Sequence, residues 1–150
     1  MAMEMSGTER ILASNDKVWA ALNDPEILSA CIPGCESVEL ISATEMTAKV
    51  TISIGPIKAR FGGAIKLDKI VAPRSYTIIG EGKSGIAGFA KGGADVALEP
   101  ESDGVTVLTY NVRADVGGKI AQLGSRMLMS TAHKLAGQFF AKFNETVSEA

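Results

Sequence analysis

From Cys35 to Val116 apolar and polar residues alternate at period two in consecutive segments. Val38 and Leu40 open the pattern. Met46, Ala48, Val50, Ile52 and Ile54 then alternate with Thr47, Lys49, Thr51 and Ser53. Ile57, Ala59, Phe61, Gly63, Ile65 and Leu67 alternate against Lys58, Arg60 and Lys66. Segments from Tyr76 to Lys83 and from Ala90 to Glu99 follow. A last one places Leu108, Tyr110, Val112, Ala114 and Val116 on one face and Thr109, Asn111, Arg113 and Asp115 on the other. Side chains of a strand point alternately to its two faces, so each segment predicts a strand with one buried face. Gly55-Pro56, Ala72-Pro73-Arg74-Ser75, the corner around Gly85 and Gly88, and Asp103-Gly104 supply the turns. Connections this short predict antiparallel neighbours.

The flanks read differently. Residues 3–12 predict a first strand. Ser14 or Asn15 then offers a cap to a short helix carrying Val18, Trp19 and Leu22, and Asp24-Pro25 starts a second one with Ile27, Leu28 and Cys31, ending at Pro33-Gly34. From Gly117 to Val147 there is no proline, and Leu128, Ala132, Leu135, Phe139 and Phe143 recur at intervals of three and four. This predicts one helix of about 28 residues, roughly 42 Å long at 1.5 Å per residue. Such a helix needs an equally long partner, and the strands before it are the candidate. Ile120, Leu123 and Met127 form a second stripe on the side carrying Lys119 and Lys134. It calls for a ligand, a protein or a membrane, or for cover from the short helices. The order β-α-α-β-β-β-β-β-β-α is that of an α+β helix-grip fold, a seven-stranded curved antiparallel sheet around a long C-terminal helix.

Composition narrows the function classes. The chain has 150 residues, which predicts a single domain spanning 1–150, and its net charge of −2 has no long basic block, which argues against a nucleic-acid surface. The N-terminus MAMEMSGTER has no apolar core of a signal peptide, and no run approaches the length of a membrane span, so a cytoplasmic location is expected. Cys31 and Cys35 flank a Pro-Gly turn; with one histidine, His133, in the chain, the expectation is two reduced thiols and no metal site.

The inward faces carry many small residues: Ala90, Gly92 and Ala94, then Ala59 and Gly63, Gly80 and Gly82, and Ala121, Gly124, Ala132 and Ala136 from the helix. Either the helix packs closely there or a space remains, and the favoured reading is an apolar cavity beneath a helix that cannot touch a bent sheet everywhere. An inner face almost without ionisable groups suits an isoprenoid, a lipid or an aromatic ring rather than a phosphorylated metabolite. No catalytic constellation is visible. His133 lies mid-helix, and Glu81 and Asp95 are the strand carboxylates to test, each expected on the solvated face. The glycine-rich run Gly85–Gly93 lacks phosphate-loop spacing. It reads either as a plain structural corner or as a corner at the pocket mouth, with Phe89 as an apolar plug or membrane-touching tip and Lys91 beside it.

The runs CIPGCE (31–36), GIAGFAKG (85–92), GGKIAQLGSR (117–126) and QFFAKF (138–143), with MEMSGTERI and VWAALNDPE near the start, resemble the carbon monoxide dehydrogenase G-subunit family of the START/Bet v 1-like superfamily. The resemblance covers nearly the whole chain. It implies a helix-grip fold with a deep hydrophobic cavity, no tightly bound cofactor, and a non-catalytic accessory to a molybdenum-containing carbon monoxide dehydrogenase or related hydroxylase. Such accessories are linked to recruiting the enzyme to the cytoplasmic membrane and to a quinone in the cavity. Carried over by position, it draws attention to Pro33, Gly34, Phe89, Lys91, Gly117, Gly118, Leu123 and Gly124, with no catalytic residue to transfer. Many relatives have a longer C-terminal tail, so membrane contact here is expected to be peripheral and reversible. With the inner-face positions and the second stripe, the candidate ligand-binding set is Pro33, Gly34, Phe61, Phe89, Ala90, Tyr110, Leu123, Gly124, Met127 and Leu128. Phe89, Lys91 and Ile120 are candidates for membrane or partner contact. Two rival readings stay open: a cyclase or hydrolase of the same superfamily acting on an aromatic or polyketide-like substrate, and a pure protein-interaction module.

Overall fold

A computed structural model describes residues 1–148. The chain runs β1 (Ala2–Ile11), α1 (Asn15–Leu22), α2 (Pro25–Cys31), β2 (Cys35–Ser42), β3 (Glu45–Ile54), β4 (Ile57–Val71), β5 (Ser75–Lys83), β6 (Phe89–Ser102), β7 (Val105–Gly117) and α3 (Ser125–Val147). The strands form one seven-stranded sheet in the order β1-β7-β6-β5-β4-β3-β2. Every neighbouring pair is antiparallel. Strands β2 to β7 follow one another as a meander, while α1 and α2 carry the chain from β1 at one edge to β2 at the other. This is the helix-grip arrangement.

The short helices start where their side chains can satisfy free backbone N–H groups. Ser14 accepts a hydrogen bond from the Lys17 N–H at 3.3 Å, and Asp24 accepts one from the Glu26 N–H at 2.9 Å, with Pro25 in the first turn. The C-terminal segment departs from its period. It is not one helix of about 28 residues. Gly118 (φ 83°) and Gly124 (φ 91°) bracket a 3-10 turn, Lys119–Leu123, and α3 begins only at Ser125, with 23 residues. The left-handed backbone at Gly124 breaks a hydrogen-bond ladder that the hydrophobic spacing runs straight through. None of the described helices is long and apolar enough to cross a membrane.

The interior holds two separate cores. The larger gathers Ile11, Val18, Leu22, Cys31, Met46, Leu67, Tyr76, Val96, Leu98, Leu108, Phe143 and Val147, with Trp19, Phe139 and Phe140 at its margin. Its rings interlock: Trp19 meets Tyr76 edge-on at 5.1 Å, and Phe139 stacks on Phe143 at 5.6 Å. The smaller gathers Ile54, Ala59, Phe61, Val116, Ile120 and Leu128. Helix α3 anchors both, through Leu128 at its start and Phe143 and Val147 at its end. Both thiols are free: Cys31 is buried and lies 3.7 Å from the Thr146 hydroxyl, and Cys35 is half-buried.

A candidate ligand cavity between the sheet and the C-terminal helix

The two cores are separated because the inward side chains of β5, β6 and β7 shrink between them. In β7, Leu108 sits in the larger core and Val116 in the smaller, with Val112 and Ala114 between; in β6, Leu98 and Val96 give way to Ala94, Gly92 and Ala90. Strand register lines the small residues up. One cross-strand row runs Met46, Ile65, Gly80, Gly92, Ala114, Met3, and the next runs Ala48, Gly63, Gly82, Ala90, Val116. Above these rows α3 presents Thr131, Ala132 and Leu135. On the sheet its main neighbours are β1 and β3, near the edges, so it stands off the central strands. The result is a cavity of about 460 Å³, within the usual range of about 300–1,000 Å³ for small-molecule sites.

The cavity wall is apolar. Its ionisable neighbours are Glu81, Lys91 and Arg113, all exposed and at strand positions whose side chains point to the opposite face. There Glu81 and Arg113 pair laterally. Glu81 meets Lys83 at 3.3 Å, and Arg113 donates to Asp95 at 2.9 Å, which also accepts from the Thr77 hydroxyl at 2.8 Å. Those hydrogen bonds, Arg113 first, hold the Asp95 carboxyl below the usual carboxylate range. A depression of about 840 Å³ on that outer face mixes such charges with Ile41 and Ile79, both exposed to solvent. His133 is exposed on α3. None of Glu81, Asp95 and His133 reaches the interior.

The cavity continues into a groove between β3 and α3. Ile52, Thr131 and Leu135 belong to both. The groove is further lined by Pro33, Gly34, Thr51, Ser53, Gly55, Leu123, Arg126, Met127, Ser130, Lys134 and Gln138. It is the mouth, and its rim mixes polar side chains with Pro33, Leu123 and Met127.

The sequence-derived candidates distribute over these surfaces. Phe61, Ala90 and Leu128 line the cavity, and Pro33, Gly34, Leu123 and Met127 line the mouth. Tyr110 does not line the cavity; it stacks on Phe140 at 5.3 Å, over Gly7, where a side chain would collide with its ring. Gly124 acts through its backbone, turning the chain into α3. Ile120, expected on a contact surface, is 2% exposed and lines the cavity, because the 3-10 turn rotates it inward. Phe89 is half-buried, with its ring over Gly117, so it is not the tip of the corner. Ile86 is, 87% exposed, in a surface hollow shared with Lys83 and Lys91. Sequence reasoning does not single out Thr131, Leu135, Arg126 or Lys134 as site residues. A signal is nevertheless present: Arg126, Ser130, Lys134 and Gln138 recur every four residues, a polar row beside the apolar stripe.

The fold and sequence have counterparts. A conserved protein from Geobacillus kaustophilus is 35% identical, with a TM-score of 0.90 over 97% of this chain and 95% of that one. A START superfamily protein from Mycobacterium smegmatis superposes with a TM-score of 0.74 at 13% identity, over 96% of each chain. The Zhui aromatase/cyclase from Streptomyces sp. R1128 does so at 0.71 and 13%, over 98% of this chain and 94% of that one; these two share the fold alone. No curated protein matches the sequence. The model of one family, the carbon monoxide dehydrogenase G-subunit (CoxG), matches residues 7–148, and the chain belongs to that family.

Proposed function

We propose that this protein is a non-catalytic carrier that holds one hydrophobic molecule, quinone-like or lipid-like, between sheet and helix. It presents that molecule at the cytoplasmic face of a membrane to a molybdenum-containing carbon monoxide dehydrogenase or a related hydroxylase. The observation that carries the reading is the 460 Å³ apolar cavity held open between two packed cores. A hollow lined by aliphatic side chains has little hold on water and gains from an apolar guest, at roughly 25 cal/mol per Å² of surface removed from water. The superfamily's cyclase chemistry would need an acid or base against the substrate, and Glu81, Asp95 and His133 all face outward. The family supports the partner class, and the exposed Ile86 beside Lys91, in a hollow that the paired Glu81 and Lys83 also line, supports a reversible contact with anionic lipid.

The test is extraction and mass spectrometry of the purified protein after incubation with membrane lipids. Co-purification of a stoichiometric isoprenoid or lipid is expected; a protein that takes up none ends the carrier reading.

A further inference from the structure

We infer that the molecule held here is an anionic single-chain amphiphile, its tail in the cavity and its carboxylate or phosphate head in the mouth between Arg126 and Lys134. The inference rests on the carrier reading and specifies its ligand. The two compartments meet at Ile52, Thr131 and Leu135, which belong to both. Inward of them the lining includes Ala132, Val50 and glycine backbone. On the outer side, beside the apolar Pro33, Leu123 and Met127, α3 presents Arg126, Ser130, Lys134 and Gln138 from one face, and β3 adds Thr51 and Ser53. Every one of these polar groups can donate a hydrogen bond, and two carry positive charge.

No carboxylate among the described residues lines the mouth. Among the described residues neither Arg126 nor Lys134 takes part in an ion pair. Glu36 accepts from the mouth residue Thr51 at 3.5 Å but is held by Arg60 at 2.7 Å. Its charge is thereby matched outside the groove. Two unmatched cations beside an apolar shaft are what a fatty-acid-like or alkyl-phosphate molecule complements. A neutral ring or alcohol would leave both unused. The shaft itself is small for a ligand site, room for one chain rather than a pair.

Calorimetric titration with palmitate, hexadecyl phosphate, hexadecanol and a decyl-substituted quinone, at low salt and pH 7.5, tests the inference. Palmitate and hexadecyl phosphate are expected to bind at least about tenfold more tightly than the alcohol or the quinone, and the advantage is expected to shrink with added salt. Arg126→Gln combined with Lys134→Gln is expected to erase the advantage while leaving the alcohol unchanged, which also shows that the variant is folded. Which of the two anions binds more tightly distinguishes a free fatty acid from a phosphate head. Alcohol or quinone binding as tightly as the acid, or an advantage that survives the double substitution, overturns the inference and leaves the carrier reading standing. Failure of all four probes to bind overturns both.

Discussion

Gly80 of β5 pairs directly with Gly92 of β6 on the wall of the cavity. A Cβ on Gly92 would collide with the Arg113 carbonyl of β7, whereas a Cβ on Gly80 would meet nothing closer than the Ala64 carbonyl oxygen at 3.6 Å. The backbone therefore requires glycine at position 92. At position 80 it does not, and what the missing side chain leaves there is space.

Filling that space separates binding from folding. Gly80→Leu places four carbons in the cavity from a position where a Cβ makes ordinary contacts. Stability is expected to stay within about 1 kcal/mol of the parent, while affinity for a fluorescent apolar probe falls at least about tenfold. Thermal unfolding and probe titration on one sample check both. Unchanged probe binding would place the ligand elsewhere.

The opposite behaviour is expected across the strand pair. Gly92→Val forces β6 away from β7 and is expected to cost more than about 2 kcal/mol, read as a lower urea midpoint. A neutral result would mean that the β6–β7 register relaxes at no cost.

Phe143 is fully buried at the far end of α3, stacked on Phe139. Phe143→Ala is expected to cost about 3–5 kcal/mol, lowering Tm by roughly 10 °C or more for a chain of this size. A loss under about 1 kcal/mol would show that α3 is not pinned there.

At the corner, Ile86→Asp should weaken association with anionic vesicles and barely affect stability, because Ile86 is 87% exposed. Phe89→Asp should instead destabilise the fold, since its ring covers Gly117. Vesicle co-sedimentation and thermal unfolding of the two variants make the comparison. Full vesicle binding by Ile86→Asp would remove this corner from the proposed membrane contact.

The outer face predicts an acid limb. The Asp95 carboxyl is held below its ordinary pKa, chiefly by its hydrogen bond from Arg113 and then by that from Thr77. A carboxylate whose folded pKa is depressed stabilises the protein above its unfolded pKa, about 3.9, and loses that contribution as pH falls through the folded value. Asp95→Asn is therefore expected to be slightly less stable than the parent at pH 6. The difference should close as the pH drops below the ordinary carboxylate range. A gap that stays constant from pH 6 to acid, in urea titrations, would mean that Asp95 acts by packing rather than by charge.

Much of the architecture is legible in single residues. Period two in Met46–Ile54 and Ile57–Leu67 marks β3 and β4, and Ser14 and Asp24 mark the helix starts, because alternation and capping are local properties. The 3-10 turn is not legible. Ile120, Leu123 and Met127 keep helical spacing through Gly124, and spacing does not report the sign of φ. For the same reason Ile120 is expected outside and lies inside. Tyr110 shares a strand face with Val112 and Ala114, yet Phe140 and Gly7, distant in sequence, decide that it packs rather than lines. The roles of Phe89 and Ile86 are likewise set by where the corner folds back on Gly117.

The sequence by itself determined the order of elements, the inward face of each strand, and the fact that small residues crowd the middle of those faces, since all three follow from composition and period along one segment. Only the tertiary structure decided whether those small residues meant close packing or a hollow. That depends on the register that aligns Gly63 with Gly82 and Gly80 with Gly92, and on where α3 comes to rest. A missing side chain leaves a space only when nothing distant arrives to fill it.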